Sequence, residues 1–220
     1  MRSAAHLHSR DRQHAQSAET RAAILAAAEL AFAKSGLAGA RIDRIAAEAG
    51  VNKALLYYYF KSKEALYEAV VEHHFAEFSR RALELLAASG PAPEILLRYV
   101  NLHFDFISAK RRCAPLFQQM MLAGGKPLER LFRKHIIPRG KALNTLLVRG
   151  MREGDFRRTD PFHTGLSITA LIVFYFSAAR GLQLLGNFDP YSDANLKRRK
   201  QEIVDFIRHG LFVNRHSPAT

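Results

Sequence analysis

Ile42-Asp43-Arg44-Ile45-Ala46-Ala47-Glu48-Ala49-Gly50-Val51-Asn52-Lys53-Ala54-Leu55-Leu56-Tyr57-Tyr58-Tyr59-Phe60 has the grammar of two short helices, about Ile42 to Ala49 and Lys53 to Phe60, joined at a glycine. Helices that cross steeply touch near their joint, so Ala46 has to be small, and a turn of three to four residues needs the positive φ that Gly50 adopts freely. Ile45, Val51, Leu56 and Phe60 then form the inner seam. An ordinary αα-corner has the same grammar, and the outward face separates the two readings. By the three-to-four rule Lys53, Ala54, Tyr57 and Tyr58 fall on the side away from Leu56 and Phe60. A lysine reaches guanine acceptors or phosphates, tyrosine reaches phosphate oxygens and packs on thymine methyls or sugars, and an alanine lets the helix enter a groove closely.

The flanks are helical as well, so the fold class is all-α. A first helix is expected from about Ser17, as N-cap, through Ile24, Leu25, Ala28, Ala31 and Phe32 to Gly36, then a loop over Leu37 to Ala40. Ser62 caps a longer helix with Leu66, Val70 and Phe75 on its apolar face. Lys63 opens that helix, where its ammonium and the free backbone N–H groups can meet one phosphate. Beyond Ser89-Gly90-Pro91, periodicity predicts helices over Ala92 to Ala109, Pro115 to Ala123, Leu128 to Glu153 with Pro138 as a kink or break, Pro161 to Leu185, and Asn195 to Phe212.

Ile45-Ala46, Ala49-Gly50-Val51, Leu56-Tyr57, Phe60 and Lys61-Ser62-Lys63-Glu64-Ala65-Leu66 resemble the TetR family of bacterial transcriptional repressors over about residues 17 to 77. The resemblance implies a homodimer whose N-terminal three helices bind a palindromic operator and whose divergent C-terminal domain dimerises and holds a small-molecule inducer. It implies Lys53, Ala54, Leu55, Tyr57 and Tyr58 as groove and base contacts, and Tyr59 and Lys63 as phosphate clamps. Ala40-Arg41 departs from the family, which usually opens the second helix with hydroxyl residues, and Ala54 stands where glycine is frequent. Arg41 and Arg44 could supply charge-assisted phosphate contacts instead, or be solvated surface residues. The expected domains are a disordered basic arm over 1–16, a DNA-binding domain over 17–62 with its helix-turn-helix at about 41–60, a connecting helix over 63–90, a ligand-binding and dimerisation domain over 91–213, and a tail over 214–220.

Composition is consistent with this and narrows the rest. In 220 residues, 48% apolar and 24% charged, a sizeable core can form without staples. One cysteine, Cys113, excludes an intrachain disulfide and any CxxC arrangement, and points to a reducing cytoplasm. The start, with Arg2, His6, His8, Arg10, Asp11, Arg12 and His14, is too polar for an export segment. Thr164 to Ala179, uncharged but interrupted by Ser167, Thr169 and Ser177, reads as a buried helix, and no membrane partner is expected. The net charge of +13 calls for an anionic partner, and residues 107–160 hold thirteen basic against four acidic side chains. Within them Lys110, Arg111, Arg112, Lys126, Arg130, Arg133, Lys134, Arg139 and Lys141 read as solvated surface or as attraction for phosphates or an anionic effector. Adjacent His73 and His74 point to different faces, so no metal site and no cofactor is expected. No nucleophile elbow, P-loop or supported carboxylate pair stands out, so no enzyme is expected.

For the effector, His103, Phe104, Phe106, Ile107, Phe117, Gln118, Met120, Met121, Phe174 and Tyr175 supply aromatic, thioether and sparse polar groups suited to an apolar cavity. Most are core residues on the simpler reading. The Pro161 to Leu185 helix is apolar nearly all round and must be covered on most sides. Leu166, Ala170, Val173, Phe174 and Ser177, with Ile203, Phe206 and Ile207 of the last helix, form the candidate dimer face, as two helices per subunit in a four-helix bundle.

Overall fold

The computed structural model describes the backbone over residues 2–213 and side chains over 14–213; Met1 and the tail expected over 214–220 lie outside the described residues. Among the described residues eleven α-helices follow one another: α1 Arg2–Gly39, α2 Ile42–Glu48, α3 Lys53–Tyr59, α4 Lys63–Leu86, α5 Ala92–Ala109, α6 Cys113–Ala123, α7 Gly125–Leu131, α8 Ile137–Arg152, α9 Pro161–Ser177, α10 Ala179–Leu182 and α11 Asp193–Leu211. No strand forms among them beyond one isolated antiparallel bridge, Phe156 with Phe212.

The chain divides into two compact units: residues up to His74 with Pro115–Gln119, and Phe75–Ala114 with the rest of the chain from Met120. This differs from the expected division at 62–63, because the first part of α4 contributes Leu66, Tyr67, Val70 and Val71 to the first core. Ile24, Leu25, Ala28 and Phe32 of α1 pack with Ile42, Ile45 and Ala46 of α2, Leu56 of α3 and Phe60. Phe32 meets Tyr67 edge to face at 5.2 Å, and the Tyr67 hydroxyl donates to the Leu116 carbonyl, which brings Pro115–Gln119 into this unit.

Helix α1 begins at Arg2, not at Ser17. Residues 2–16, expected as an arm without structure, continue the helix, as alanine, arginine and glutamine favour. Gly36, with φ 66°, leaves the helical path where the sequence placed the stop. By length and composition His14–Gly39 is apolar enough to cross a membrane, which the sequence reading did not register, but its apolar stripe is the one packed against α2 and α4.

In the second unit α5 and α9 pack on each other, and α8 and α11 each pack on both. Their shared core includes Tyr99, Phe104, Leu147, Ile172, Phe176 and Ile203. The helix expected over Leu128 to Glu153 is divided by a π-helical turn at Phe132–Ile136 just before Pro138. Proline lacks an N–H and its ring crowds the carbonyl four residues back, and a widened turn relieves both. The helix expected to reach Leu185 ends at Ser177, and the chain turns through α10. Ser192 caps α11 by accepting from the Asn195 N–H at 3.4 Å, so that the helix begins at Asp193, two residues before the expected start.

Candidate DNA interface

The hinge of the helix-turn-helix has the geometry that its residues require. Gly50 has φ 67°, where a side chain would be strained, and the Val51 N–H donates to the Ala46 carbonyl at 3.0 Å. Asn52 then caps α3, its side-chain oxygen accepting from the Leu55 N–H at 2.8 Å. Leu56 and Phe60 are buried, and they anchor a helix of only two turns. Because those two residues face inward, Lys53, Ala54, Leu55, Tyr57 and Tyr58 are all exposed, Tyr58 at 70%. Arg41 and Arg44 are exposed on α2, and Arg41 caps that helix without a side-chain bond.

Several of these groups have protein partners that the sequence reading missed. The Lys53 ammonium lies 2.9 Å from the Asp43 carboxylate, both exposed. The bond between them holds the Asp43 carboxyl below its ordinary range and raises the Lys53 ammonium above its own. Asp43 and Lys53 are ten residues apart across a glycine turn, so the pair needed the crossing of α2 and α3 to be known. The Tyr59 hydroxyl, half-buried, shares a hydrogen bond with Ser17 at 2.9 Å. Ser17 is therefore not the cap of α1 but a residue inside it that holds the recognition helix. One hydroxyl of such a pair retains a proton to offer a phosphate. Lys63 donates to the carbonyls of Ala38 and Ala40 at 3.2 and 3.4 Å, leaving one of three N–H donors uncommitted. Lys61 donates to the Tyr58 carbonyl at 3.2 Å and lies 5.6 Å from the Tyr58 ring centre, adding a cation beside the exposed aromatic.

Of the residues expected to line one pocket, Phe117 and Gln118 belong to the first unit and the others to the second, where their burial differs. His103, Phe104, Met120 and Tyr175 are buried, whereas Gln118, Met121 and Phe174 are exposed. Ile107 is half-buried against the core, and Phe117 is half-buried in the first unit. Phe174 stands in solvent because α9 turns its neighbours Tyr175 and Phe176 inward. Tyr175 stacks on Phe104 and donates its hydroxyl to the Pro190 carbonyl at 2.8 Å. Two grooves lie elsewhere in the second unit: one of about 330 Å³ between α9 and α11, and one of about 560 Å³ between α4 and α5, lined by Arg81, Leu85, Arg98 and Leu102 among others.

The candidate dimer face divides in the same way. Leu166, Ala170, Phe174 and Phe206 are exposed, Phe174 at 70% and Phe206 at 67%, and Val173 and Ser177 are half-buried. Ile203 and Ile207 are core residues of the second unit, because the apolar stripe of α11 faces α5 and α9. Exposed Phe162, at the start of α9, extends the outer face. Of the mid-chain basic cluster, Arg139 is the exception to the solvated reading, being only 7% exposed. Beside it His103 is buried, and burial, with the Arg139 charge second, holds its imidazole well below the ordinary value of 6.5.

A glycine hinge braced on one side by buried leucine and phenylalanine, with a row of basic, small and aromatic side chains left to solvent on the other, defines a helix-turn-helix protein of the kind that enters DNA grooves. This chain belongs to the TetR family: residues 24–70 match the description "Bacterial regulatory proteins, tetR family", and residues 93–207 match "Tetracyclin repressor-like, C-terminal domain". It is 31% identical over 168 residues to the HTH-type transcriptional regulator RutR of Escherichia coli K12, across 74% of this chain and 76% of RutR. It is 36% identical over 91 residues to the HTH-type transcriptional repressor NicS of Pseudomonas putida, a match that spans 41% of this chain and under half, 43%, of NicS. The crystal structure of the transcriptional regulator SCO4942 from Streptomyces coelicolor superposes with a TM-score of 0.67 at 25% identity, over 87% of this chain and 98% of the other.

Proposed function

We propose that this protein is a homodimeric transcriptional repressor that binds a palindromic operator through α3 and is released by a small-molecule effector held in its second unit. The observation that carries the reading is the outer face of α3. Leu55, Tyr57 and Tyr58 stand in solvent at cost on a helix whose inward residues already suffice to fold it. Such an apolar and aromatic face, with Lys53 at its head, has a use in a major groove. Arg41, Arg44, Lys61 and Lys63 surround it with cations for the backbone phosphates.

Dimerisation supplies the second half-site, at a spacing of about 34–36 Å on the duplex. Leu166, Ala170, Phe174 and Phe206 form an apolar face that supports the assignment of α9 and α11 to the interface, and Phe162 lengthens it. The function takes place on cytoplasmic DNA and involves no catalysis. The test is a mobility shift of the full-length protein with the DNA upstream of its own gene, competed by random duplex. Retardation that survives a large excess of random DNA supports the repressor, equal competition makes it a nonspecific basic binder, and no retardation removes DNA binding altogether.

A further inference from the structure

Arg139 is a guanidinium inside a protein core with no acid beside it. It lies on α8, 7% exposed, and among the described residues no carboxylate comes within 4.0 Å. Its partners are neutral: the Ser79 hydroxyl oxygen at a long 3.5 Å and the face of Phe78, whose ring centre is 4.7 Å away, with the buried Tyr99 phenol near enough to feel its charge. Ser79 already spends its proton on the His135 carbonyl at 3.3 Å. An arginine cannot shed its charge, and a buried cation is costly unless an anion meets it; a ring face compensates only part of this.

Next to this uncompensated charge stands a buried side chain with a polar atom left unpaired. His103, 4% exposed, stacks on the same Phe78 ring at 4.5 Å, and its Nδ1 has no hydrogen-bond partner. Burial keeps this imidazole neutral, so it does nothing to offset Arg139, and in the tautomer with Nδ1 protonated it is an unused donor. The two defects share one remedy: a carboxylate has two oxygens for a planar guanidinium fork and a further lone pair for an imidazole N–H.

We propose that Arg139 and His103 form the anion-binding end of the effector site, and that the effector is a small apolar monocarboxylic acid whose carboxylate sits between them. One guanidinium balances one negative charge, so a phosphate dianion would itself be left under-compensated. The surroundings, Phe78, Tyr99 and Phe106, are aromatic and suit a hydrocarbon body in place of a polyhydroxylated one. This inference rests on the effector-released reading above, and on a site that the mid-chain basic cluster conceals in the sequence.

The test is thermal denaturation and calorimetric titration of the full-length protein with benzoate and octanoate, each against its neutral carboxamide at equal concentration. The acids should raise Tm and bind at least about tenfold more tightly than the amides. Arg139→Met should fold with an unchanged or higher Tm in buffer, since it removes an unpaired buried charge, and should abolish the preference for acid over amide. His103→Phe, which keeps the stack on Phe78 without the Nδ1 donor, should weaken the acids and leave the amides unaffected. The proposal is overturned if no acid binds, if acids and amides bind alike, or if both variants retain the preference. Release of DNA is read separately: acid binding through Arg139 without release leaves this site standing and removes the effector-released reading, whereas release by a neutral compound alone does the reverse.

Discussion

Lys53 is held by Asp43 in the free protein, and what that pair does on DNA follows from its exposure. Both side chains are mostly in solvent, so the bond is screened and easily exchanged for a guanine edge or a phosphate. Lys53→Ala and Tyr57→Ala should each weaken operator binding by roughly tenfold or more, with Lys53→Ala also relaxing base preference, and neither should shift Tm appreciably. Asp43→Asn should act in the opposite direction on random DNA, raising its affinity by freeing the ammonium from a competitor that repels phosphate. Fluorescence anisotropy with operator and random duplexes measures all three, and unchanged affinities for Lys53→Ala and Tyr57→Ala would remove α3 from the groove. Tyr59 is a different case. Its bond to Ser17 makes it a brace for α3 as well as a candidate phosphate donor, and the exposed ring of Tyr58 is better placed to touch DNA.

For the helices, what each end or face touches sets the outcome. Lys63 opens α4 and ties down the carbonyls of Ala38 and Ala40, so Lys63→Ala should cost some stability. It should also lower the slope of log affinity against log salt by about 1 for each phosphate that a subunit no longer neutralises, equally for specific and random DNA. A change in which operator base pairs are preferred would contradict the clamp. On α8, Gly150 is packed under the Phe156 ring so closely that a Cβ would overlap it. Phe156 is itself buried and tied to α11 through the Arg157 N–H to Leu211 carbonyl bond at 2.8 Å, so the ring cannot simply withdraw. Gly150→Ala should therefore cost about 1–3 kcal/mol in urea denaturation, against the stabilisation that the same change gives in an open helix. For α9, Phe174 is exposed in the protomer, so Phe174→Arg should leave each subunit folded and yield soluble monomers with weakened operator binding. Light scattering that still found a dimer of normal affinity would place the interface elsewhere.

The stability of the whole chain carries the signature of His103. Well above pH 6.5 its imidazole is neutral in both the folded and the unfolded chain, and it contributes no slope. Below that pH the unfolded chain takes up a proton that the folded one refuses, so stability falls as pH falls, at up to about 1.4 kcal/mol per pH unit from this group. Of the groups around it, Arg139 stays charged, and burial pushes the Tyr99 phenol up, so neither titrates in that window. Unfolding of the wild-type protein and His103→Phe, compared at pH 7.5 and 5.5, should show the smaller loss in the variant; equal losses would mean that His103 titrates freely. An effector bound beside His103 shifts the DNA equilibrium only as far as it prefers one conformation over another, and operator DNA must weaken that effector by the same factor.

The sequence by itself carried everything that depends on a few neighbouring residues. A glycine that must turn with positive φ, an apolar residue every three or four positions and a serine before a helix act through backbone geometry and local hydrogen bonds. For that reason the helix-turn-helix, its outward face, the Ser62 cap and the approximate spans of α5 and α11 were legible. Where periodicity met no clear stop it failed, as at Ser177, where α9 ends without glycine or proline, and at Ser17, a good cap that lies inside a longer helix. What needed the folded chain was the partner of each face. Ile203 and Ile207 share the apolar character of Phe206, yet α5 and α9 cover the first two and leave the third in solvent. Arg139 is indistinguishable by type from the solvated arginines around it, and only the packing of α8 against distant residues of α4 and α5 puts its charge in the core beside an unpaired histidine. Burial is the sum of interactions between segments far apart in the chain, and no local pattern of residue types specifies it.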